Sequence, residues 1–489
     1  MPIGIDNLDD ERLRQAAKLL ERENERLIRQ VVELKQKLRA AQGNGAQQMD
    51  LLAELEQQLA VRNKMLFGRS SERRSSGDKT DADDSKAQQT GHGPREQAAL
   101  AHVEREHELD VADQTCTSCG GKLEEMSGQF EESDEIDSLE RQFVLVRHKR
   151  KKYRCRCGGC VETAPGPDKL IPGGRYSIDF AVSVAIAKYA DHLPLERQVR
   201  MMKRQGLEVD SQTLWDQLNG LAKHLTPAVE ALPSYILSQS VIGADETFWR
   251  LMEGGDNKRW QTWAITAPNA VSYRIKDSRS AAAASEVLGD YTGTVLCDGY
   301  SAYEALQKRG GKFRIAHCWA HVRRKFVDAE PLCPGPCKEI LDLIGKLYSL
   351  ERECVTDEDR ARVRAEQSRA VVQEIQAWPL RQQALPQSAL GKAIGYMGSM
   401  WNGLLRFLDE PKLALDNNAT ERALRGVVIG RKNHYGSRSE RGTEVAALFY
   451  SLIESAKLAG IEPDAYLRKA ARLAVRGEKI PLPHQLAIA

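Results

Sequence analysis

Leu13, Leu20, Leu27 and Leu34 recur at every seventh position, with charged residues between them and no Gly or Pro interrupting the run. With these leucines at d, the a positions fall on Ala17, Asn24, Val31 and Leu38, a heptad pattern that predicts a coiled coil. Asn24 at an a position fixes two-stranded register at some cost in stability. The competing reading is one amphipathic helix packed on its own domain. Gly43 and Gly45 break the pattern, and Leu52, Leu55 and Leu59 predict a second helix ending near Phe67-Gly68. The leucine-zipper-like region is therefore 8–67. From Arg69 to about Arg95 large apolar positions almost vanish in favour of Ser, Asp, Lys, Gln and Gly. Such a stretch buries too little surface to offset chain entropy, which predicts a disordered linker over 68–107.

Helical periodicity returns over 175–236, with Phe180, Val184, Ala187 and Tyr189 on one stripe and a break at His192-Leu193-Pro194. A second helix spans Leu195–Gln205, Gly206-Leu207 turns the chain, and a third helix spans Ser211–Leu225 with Ser211 as N-cap and Leu214, Trp215 and Leu218 inward. This order fits a helix-turn-helix and equally a plain helical connector. From Ser240 the period shortens to two. Strands are predicted at Ser240–Met252, Lys258–Thr266 and Ala270–Ile275, with turn residues Gly255-Asp256-Asn257 and Pro268-Asn269 between them. An alanine-rich helix, a fourth strand ending at Asp298, a helix Ser301–Lys308 and a fifth strand Lys312–Ala316 follow. That order is the ribonuclease-H-like one. Residues 330–400 read as a helical insertion (Ile340–Glu353, Arg360–Trp378), punctuated by Pro331, Pro334, Pro336 and Pro379, and 441–489 as a small C-terminal helical tail.

Composition narrows the class. A chain of 489 residues, 41% hydrophobic and 29% charged, suggests three or four soluble domains. No apolar run reaches the roughly 18 residues of a membrane helix, and the N-terminus lacks the basic-then-apolar order of a secretory signal. An intracellular chain is expected, so its ten cysteines read as thiols or metal ligands rather than disulfides. Cys116-Thr-Ser-Cys119-Gly-Gly is a metal knuckle, and Cys155-Arg-Cys157-Gly-Gly-Cys160 supplies a second pair. Cys116, Cys119, Cys157 and Cys160 can close a tetrahedral zinc site, with Cys155 as the alternative to Cys157; buried free thiols are the rival reading. The zinc-binding module is drawn at 108–170, with room for a hairpin such as Gln142 to Val146. Net charge is only +2, yet basic residues cluster at Arg147-His-Lys-Arg-Lys-Lys-Tyr-Arg154. Lys149, Arg150, Lys151 and Lys152 there would gain from neutralising phosphates and releasing counterions.

Three acids carry the candidate chemistry. Asp245 and Asp298 each close an apolar strand, and Glu421 in DNNATERALRG lies on a helix. Alone, Asp298-Gly299 is an ordinary turn, Asp245 a cap, and Glu421 a partner in a capping-box-like Asn418-Ala-Thr-Glu421. Together, in this strand order, they form a hard oxygen ligand set suited to two Mg²⁺ or Mn²⁺ ions at a phosphoryl-transfer site. His317 and His321 are spaced to share a helix face with Cys318 between them; a metal site and a phosphate-contacting helix through Arg323, Arg324 and Lys325 are the two readings. Cys333 and Cys337, separated by Pro, Gly and Pro, read as a structural loop. Gly430-Arg-Lys-Asn-His-Tyr-Gly-Ser-Arg438, through Arg431 and Lys432, reads as a substrate-positioning segment.

GADETFWRL, CDGYSAYEAL, HCWAHVRRKF and NNATERALRGVVIGRKNHYGS resemble the catalytic segments of the IS66-family transposases, and the leucine-rich helix, cysteine module and C-terminal tail are arranged as in that family. The resemblance covers most of the chain outside the linker and implies a DDE catalytic triad of Asp245, Asp298 and Glu421. It implies a bacterial, cytoplasmic, nucleoid-associated enzyme that binds the double-stranded ends of an insertion sequence. Water would cut a phosphodiester there, and the exposed 3′-OH would join a target strand. A homodimer or higher oligomer and small accessory proteins of the same element are the partners implied. One departure is the second knuckle, CRCGGC in place of a plain CxxC. The expected fold class is thus multidomain α+β: coiled coil, zinc module, helical DNA-binding segment (175–236), ribonuclease-H-like core with helical insertion (238–440) and helical tail (441–489). The alternatives are a non-catalytic zinc-dependent DNA-binding regulator and a nuclease without joining activity.

Overall fold

The computed structural model describes residues 143–154, 161–253 and 258–486. The expected coiled coil, the linker, the five candidate zinc cysteines and the turn Gly255-Asp256-Asn257 lie outside the described residues. A short antiparallel pair, β1 (Lys152–Arg154) with β2 (Val161–Thr163), follows an extended, exposed basic stretch. The hairpin expected near Gln142 to Val146 is not seen among the described residues. Residues 143–151 form no strand, and the pairing comes later, where Tyr153 faces Glu162.

Three helices come next: α1 (Ile178–Tyr189), α2 (Leu195–Arg204) and α3 (Ser211–Leu237). The cap of α3 is Asp210 rather than Ser211, its carboxylate accepting from Thr213 N at 2.6 Å. The helix also continues well past Leu225, through Pro227 and Pro233. Pro227 removes the helical donor of the Lys223 carbonyl, and beside it Thr226 Oγ1 donates to the Ala222 carbonyl. Leu214, Leu218, Leu221, Leu225, Leu232 and Ile236 are all fully buried, so apolar packing along the whole helix outweighs the two prolines. This burial makes α3 a core helix and favours the connector over the helix-turn-helix.

A five-stranded sheet forms the centre, in the order β5 (Ala270–Lys276), β4 (Lys258–Ala267), β3 (Val241–Leu251), β6 (Thr294–Cys297), β7 (Arg314–His317). The first three strands are antiparallel, and β3, β6 and β7 run parallel. Helices α4 (Ala281–Leu288) and α5 (Ser301–Lys308) make the crossovers to β6 and β7. The parallel strands are buried on both faces, as such strands are: Val295, Cys297 and Ile315 join one apolar core, Leu296 and Ala316 another. The second core belongs to the helical insertion, α6 (Trp319–Ala329), α7 (Pro334–Arg352), α8 (Asp357–Val363), one π-helical turn (Arg364–Ser368), α9 (Arg369–Ala377) and α10 (Ala389–Leu404). The segment between Cys333 and Cys337 is not a loop: Cys333 is the N-cap of α7, Pro334 opens the helix, where a missing N–H costs nothing, and Cys337 is buried in its first turn. Likewise His317 ends β7 and only His321 lies on α6, so the two do not share a helix face.

The chain closes with α11 (Asn418–His434), α12 (Glu440–Leu458) and α13 (Pro463–Val475). Boundaries at 236/238 and 440/441 do not separate cores. Residues of α1, α3, α12 and α13 share one buried cluster with the sheet. Ser451 and Ser455 of α12 bond the β5 backbone directly at Tyr273 N and Val271 N, each at 2.9 Å.

Candidate active site

Register brings the two aspartates together. Strand β3 pairs with β6 as Val241↔Thr294, Ile242↔Val295 and Gly243↔Leu296, and β6 stops at Cys297. Continuing that register sets Asp298 beside Asp245 on the same face, roughly one strand spacing of 4.8 Å away. The sequence pattern puts Asp245 at the end of its strand, but β3 runs on to Leu251 because β4 pairs along its other edge. It is β6 that ends here, opening the edge of β3 at the acid.

Glycine brings the third acid in. A Cβ on Gly243 would lie 2.1 Å from Thr420 Oγ1 and 2.5 Å from Thr266 Oγ1, so only glycine lets the first turn of α11 rest on β3. The two threonine hydroxyls bond to each other at 2.7 Å, and Asn417 Nδ2 donates to the Ala244 carbonyl at 3.0 Å. Gly243 and Asp245 point to the same face, being two residues apart on a strand. Glu421, next to Thr420, is thereby delivered to Asp245. The capping-box reading of Glu421 fails. The N-cap is Asn417, which makes no side-chain cap bond, and Glu421 Oε1 is buried without a hydrogen-bond partner.

Electrostatics agree with the geometry. The Asp245 carboxyl is pushed up to about 7, first by burial and then by Asp298, with Glu246 and Glu421 adding to it. One donor opposes the rise: Glu246 N donates to Asp245 Oδ1 at 2.8 Å. Asp298 Oδ1 likewise accepts from Tyr300 N at 2.9 Å. Each aspartate thus engages the following backbone with one oxygen, Asp298 in its turn and Asp245 within strand β3.

Beneath them lies a network that sequence reasoning missed. Glu246 faces the opposite side of β3 and is buried, accepting from Arg279 Nε at 3.0 Å and from Tyr303 Oη at 3.2 Å. The Arg279 guanidinium also sits 3.8 Å over the Tyr300 ring, whose hydroxyl donates to the Arg279 carbonyl at 2.6 Å. Tyr396 Oη of α10 donates to the Asp298 carbonyl at 2.9 Å. These contacts clamp the Asp298-Gly299-Tyr300 turn from two sides. The acidic pair Asp245-Glu246 was the only signal in the sequence, since adjacent strand residues must face opposite ways.

Comparison with known proteins decides the family. Residues 173–445, more than half of the chain, match the family described as transposase IS66 family. The chain belongs to the IS66 transposase family. Residues 113–158 match the zinc-finger binding domain of transposase IS66. The uncharacterised protein y4jD of Sinorhizobium fredii (strain NBRC 101917 / NGR234) is 33% identical over 76% of this chain and 76% of its own length. Two further uncharacterised proteins of that strain, y4qI and y4hP, are 32% and 26% identical over 74% and 75% of this chain, each over 71% of its own length.

Within this IS66-family chain the zinc-finger match contains Cys116, Cys119, Cys155 and Cys157 and ends before Cys160. The expected DNA-contacting residues fall in three places. Lys149, Arg150, Lys151 and Lys152 are exposed beside β1, although Arg150 Nε is engaged with the Ala164 carbonyl at 2.5 Å. Arg323, half-buried, and Arg324, exposed, sit one turn beyond His321 on α6, where Lys325 lies 5.2 Å over the Tyr396 ring. Lys432 is exposed near the end of α11, but Arg431 turns inward, bonding the Phe248 carbonyl and lying over the Phe248 ring. Arg431 therefore fastens α11 to β3, a role the basic run in the sequence did not disclose. No helix among the described residues is long and apolar enough to cross a membrane.

Proposed function

We propose that this chain is a DDE-type DNA transposase with a ribonuclease-H-like core, catalysing divalent-metal-dependent cleavage of element ends and their transfer into target DNA. One observation carries this reading: carboxylates from β3, the end of β6 and the start of α11 interact with one another, with Asp245 raised by burial and then by its acidic neighbours Asp298, Glu246 and Glu421. Such a cluster is unfavourable by itself and fits a hard cation. Glu421 Oε1 is buried without a partner, and the donor set is all oxygen. Asp245, Asp298 and Glu421 would hold two Mg²⁺ or Mn²⁺ ions. When bound, such ions supply activation of the attacking oxygen and stabilisation of the leaving one in phosphoryl transfer.

The chain's own residues do the positioning. Backbone N–H groups fix one oxygen of Asp245 and of Asp298, so both carboxylates are oriented before substrate arrives. The Arg279–Tyr300 and Tyr396 contacts hold the Asp298 turn, and the Gly243–Thr420 contact sets the depth of Glu421. Arg323 and Arg324, following His321, would meet the phosphates flanking the scissile bond, and Lys432 those further along. Lys149, Lys151 and Lys152, inside the zinc-finger match, would grip the duplex through counterion release. Cys116 and Cys119 would hold zinc with two of Cys155, Cys157 and Cys160. The heptad helix would pair two chains so that two ends meet, with accessory proteins of the element as further partners.

A joining assay with pre-cut oligonucleotide ends tests the reading. Mg²⁺-dependent joined product is expected from the wild type, and Asp245→Asn should lose it while still binding ends. Cleavage without joining would make the chain a nuclease, and unchanged genetic function of Asp245→Asn would make it a DNA-binding regulator.

A further inference from the structure

A second set of ligand-type side chains converges on the far side of Glu421. Segment 415–417 crosses the start of α6: Trp319 N donates to the Leu415 carbonyl at 2.9 Å, and Asn417 N donates to Cys318 Sγ at 3.2 Å. This crossing sets the N-termini of α6 and α11 against each other. Cys318 Sγ, an imidazole nitrogen of His321 and a carboxylate oxygen of Glu421 consequently all lie within 4.8 Å of one another. His321 Nε2 is 3.6 Å from Glu421 Oε1, too far for a hydrogen bond. Glu421 Oε1 and His321 Nδ1 are both buried without hydrogen-bond partners. Orphaned polar atoms beside a thiol are better explained by a ligand than by packing, because packing leaves their desolvation uncompensated.

We infer that Cys318, His321 and Glu421 form a site for a soft or borderline divalent cation such as Zn²⁺, sharing Glu421 with the hard oxygen site of Asp245 and Asp298. The donor types are those zinc takes: thiolate sulfur, imidazole nitrogen and carboxylate oxygen, with Cys and His three residues apart at the start of one helix. Charge closes too, since one thiolate and one carboxylate neutralise a dication and a neutral imidazole adds none. The N–H of Asn417 already points at the sulfur, as N–H groups do around metal-bound thiolates. Three protein ligands leave the fourth position open, which is the form of a reactive rather than a purely structural zinc site. Because Glu421 serves both ligand sets, a zinc ion here would draw it from the hard site, so zinc would compete with Mg²⁺-supported joining. That consequence rests on the proposed transposase reading; the binding site itself does not.

Zinc stoichiometry of the full chain tests the site without DNA. After incubation with Zn²⁺ and gel filtration, wild type should carry two zinc ions per chain, one on the finger cysteines and one here. Cys318→Ser and His321→Gln should each carry one, and Asp245→Asn should keep two. Thermal melting of each variant checks that it is folded, and His321→Gln, half-buried, covers the case in which Cys318→Ser fails to fold. A single zinc in wild type would overturn the inference. So would loss of the second zinc in Asp245→Asn with retention in His321→Gln, which would place it on the acids. Failure of the wild type to join ends in Mg²⁺, with these stoichiometries intact, would count against the transposase reading and leave the zinc site standing.

Discussion

Asp245 has an acidic neighbour just past the end of β6, another on α11 and a third beside it in its own strand. Its folded-state pKa of about 7 lies above the unfolded value near 3.9, so the folded chain binds the extra proton between those limits. The contribution of this group to the stability of the metal-free protein therefore falls as pH rises from about 4 to 7, by up to about 4 kcal/mol. Asp245→Asn removes that loss. Its melting temperature should exceed that of the metal-free wild type at pH 8, and the gap should shrink as pH falls towards 4, in scanning calorimetry at both pH values. Added Mg²⁺ should raise the wild type alone, since a cation bound to the folded state offsets the repulsion. At Gly243, Ala would push α11 off β3 against two threonine oxygens. Gly243→Ala should cost about 1–3 kcal/mol in denaturant unfolding and lower joining without weakening end binding. Asp245 and Asp298 were legible in the sequence because each closes an apolar run whose period is visible locally. The delivery of Glu421 was not, because it depends on a contact between Gly243 and Thr420 that no local pattern records.

Helix α11 is a ruler laid along β3. Its 17 residues span about 25 Å, close to the roughly 27 Å from Gly243 to Leu251. It is fastened at both ends, by Thr420 and Asn417 at one and by Arg431 and Ser437 at the other, where Ser437 exchanges backbone bonds with Arg250 and Met252. The insertion is tied to the same region through one buried cation. Arg364, fully buried in the π-helical turn, pairs with Glu351 at 2.6 Å and donates to the carbonyls of Phe407, Glu410 and Leu413, just before α11 begins. Arg364→Met would leave Glu351 with Arg360 as its remaining cation and strip the Arg364 donors from three carbonyls. We expect it to lower stability by about 3–5 kcal/mol, read as faster amide exchange over 337–415. Strand and helix positions were mostly readable: α5 falls where the periodicity puts it, and β3 to β7 within one or two residues. The continuation of α3 through two prolines and the start of α7 on Pro334 were not, because tertiary burial overrode one breaker and helix-end chemistry absorbed the other.

At the scale of the molecule, helices drawn from the sequence as separate modules prove to be walls of one core. Apolar periodicity shows which face of a helix is buried and not what covers it, so 175–236 and 441–489 could not be assigned to the sheet in advance. The exposed lysines beside β1 make a separate prediction. Replacing Lys149, Lys151 and Lys152 with Ala should weaken binding to element ends and to unrelated duplexes alike. The slope of log affinity against log salt should flatten by about 0.9 for each phosphate that is no longer neutralised, measured by fluorescence anisotropy. The central claim, that Asp245, Asp298 and Glu421 hold a common divalent cation, is most directly tested by iron-mediated backbone cleavage. Fe²⁺ substituted for Mg²⁺, with ascorbate and peroxide, should cut the folded chain near all three acids. Excess Mg²⁺ and Asp298→Asn should each suppress the three cuts together. Cuts confined to one acid, or three cuts that persist in Asp298→Asn, would contradict a shared cation site.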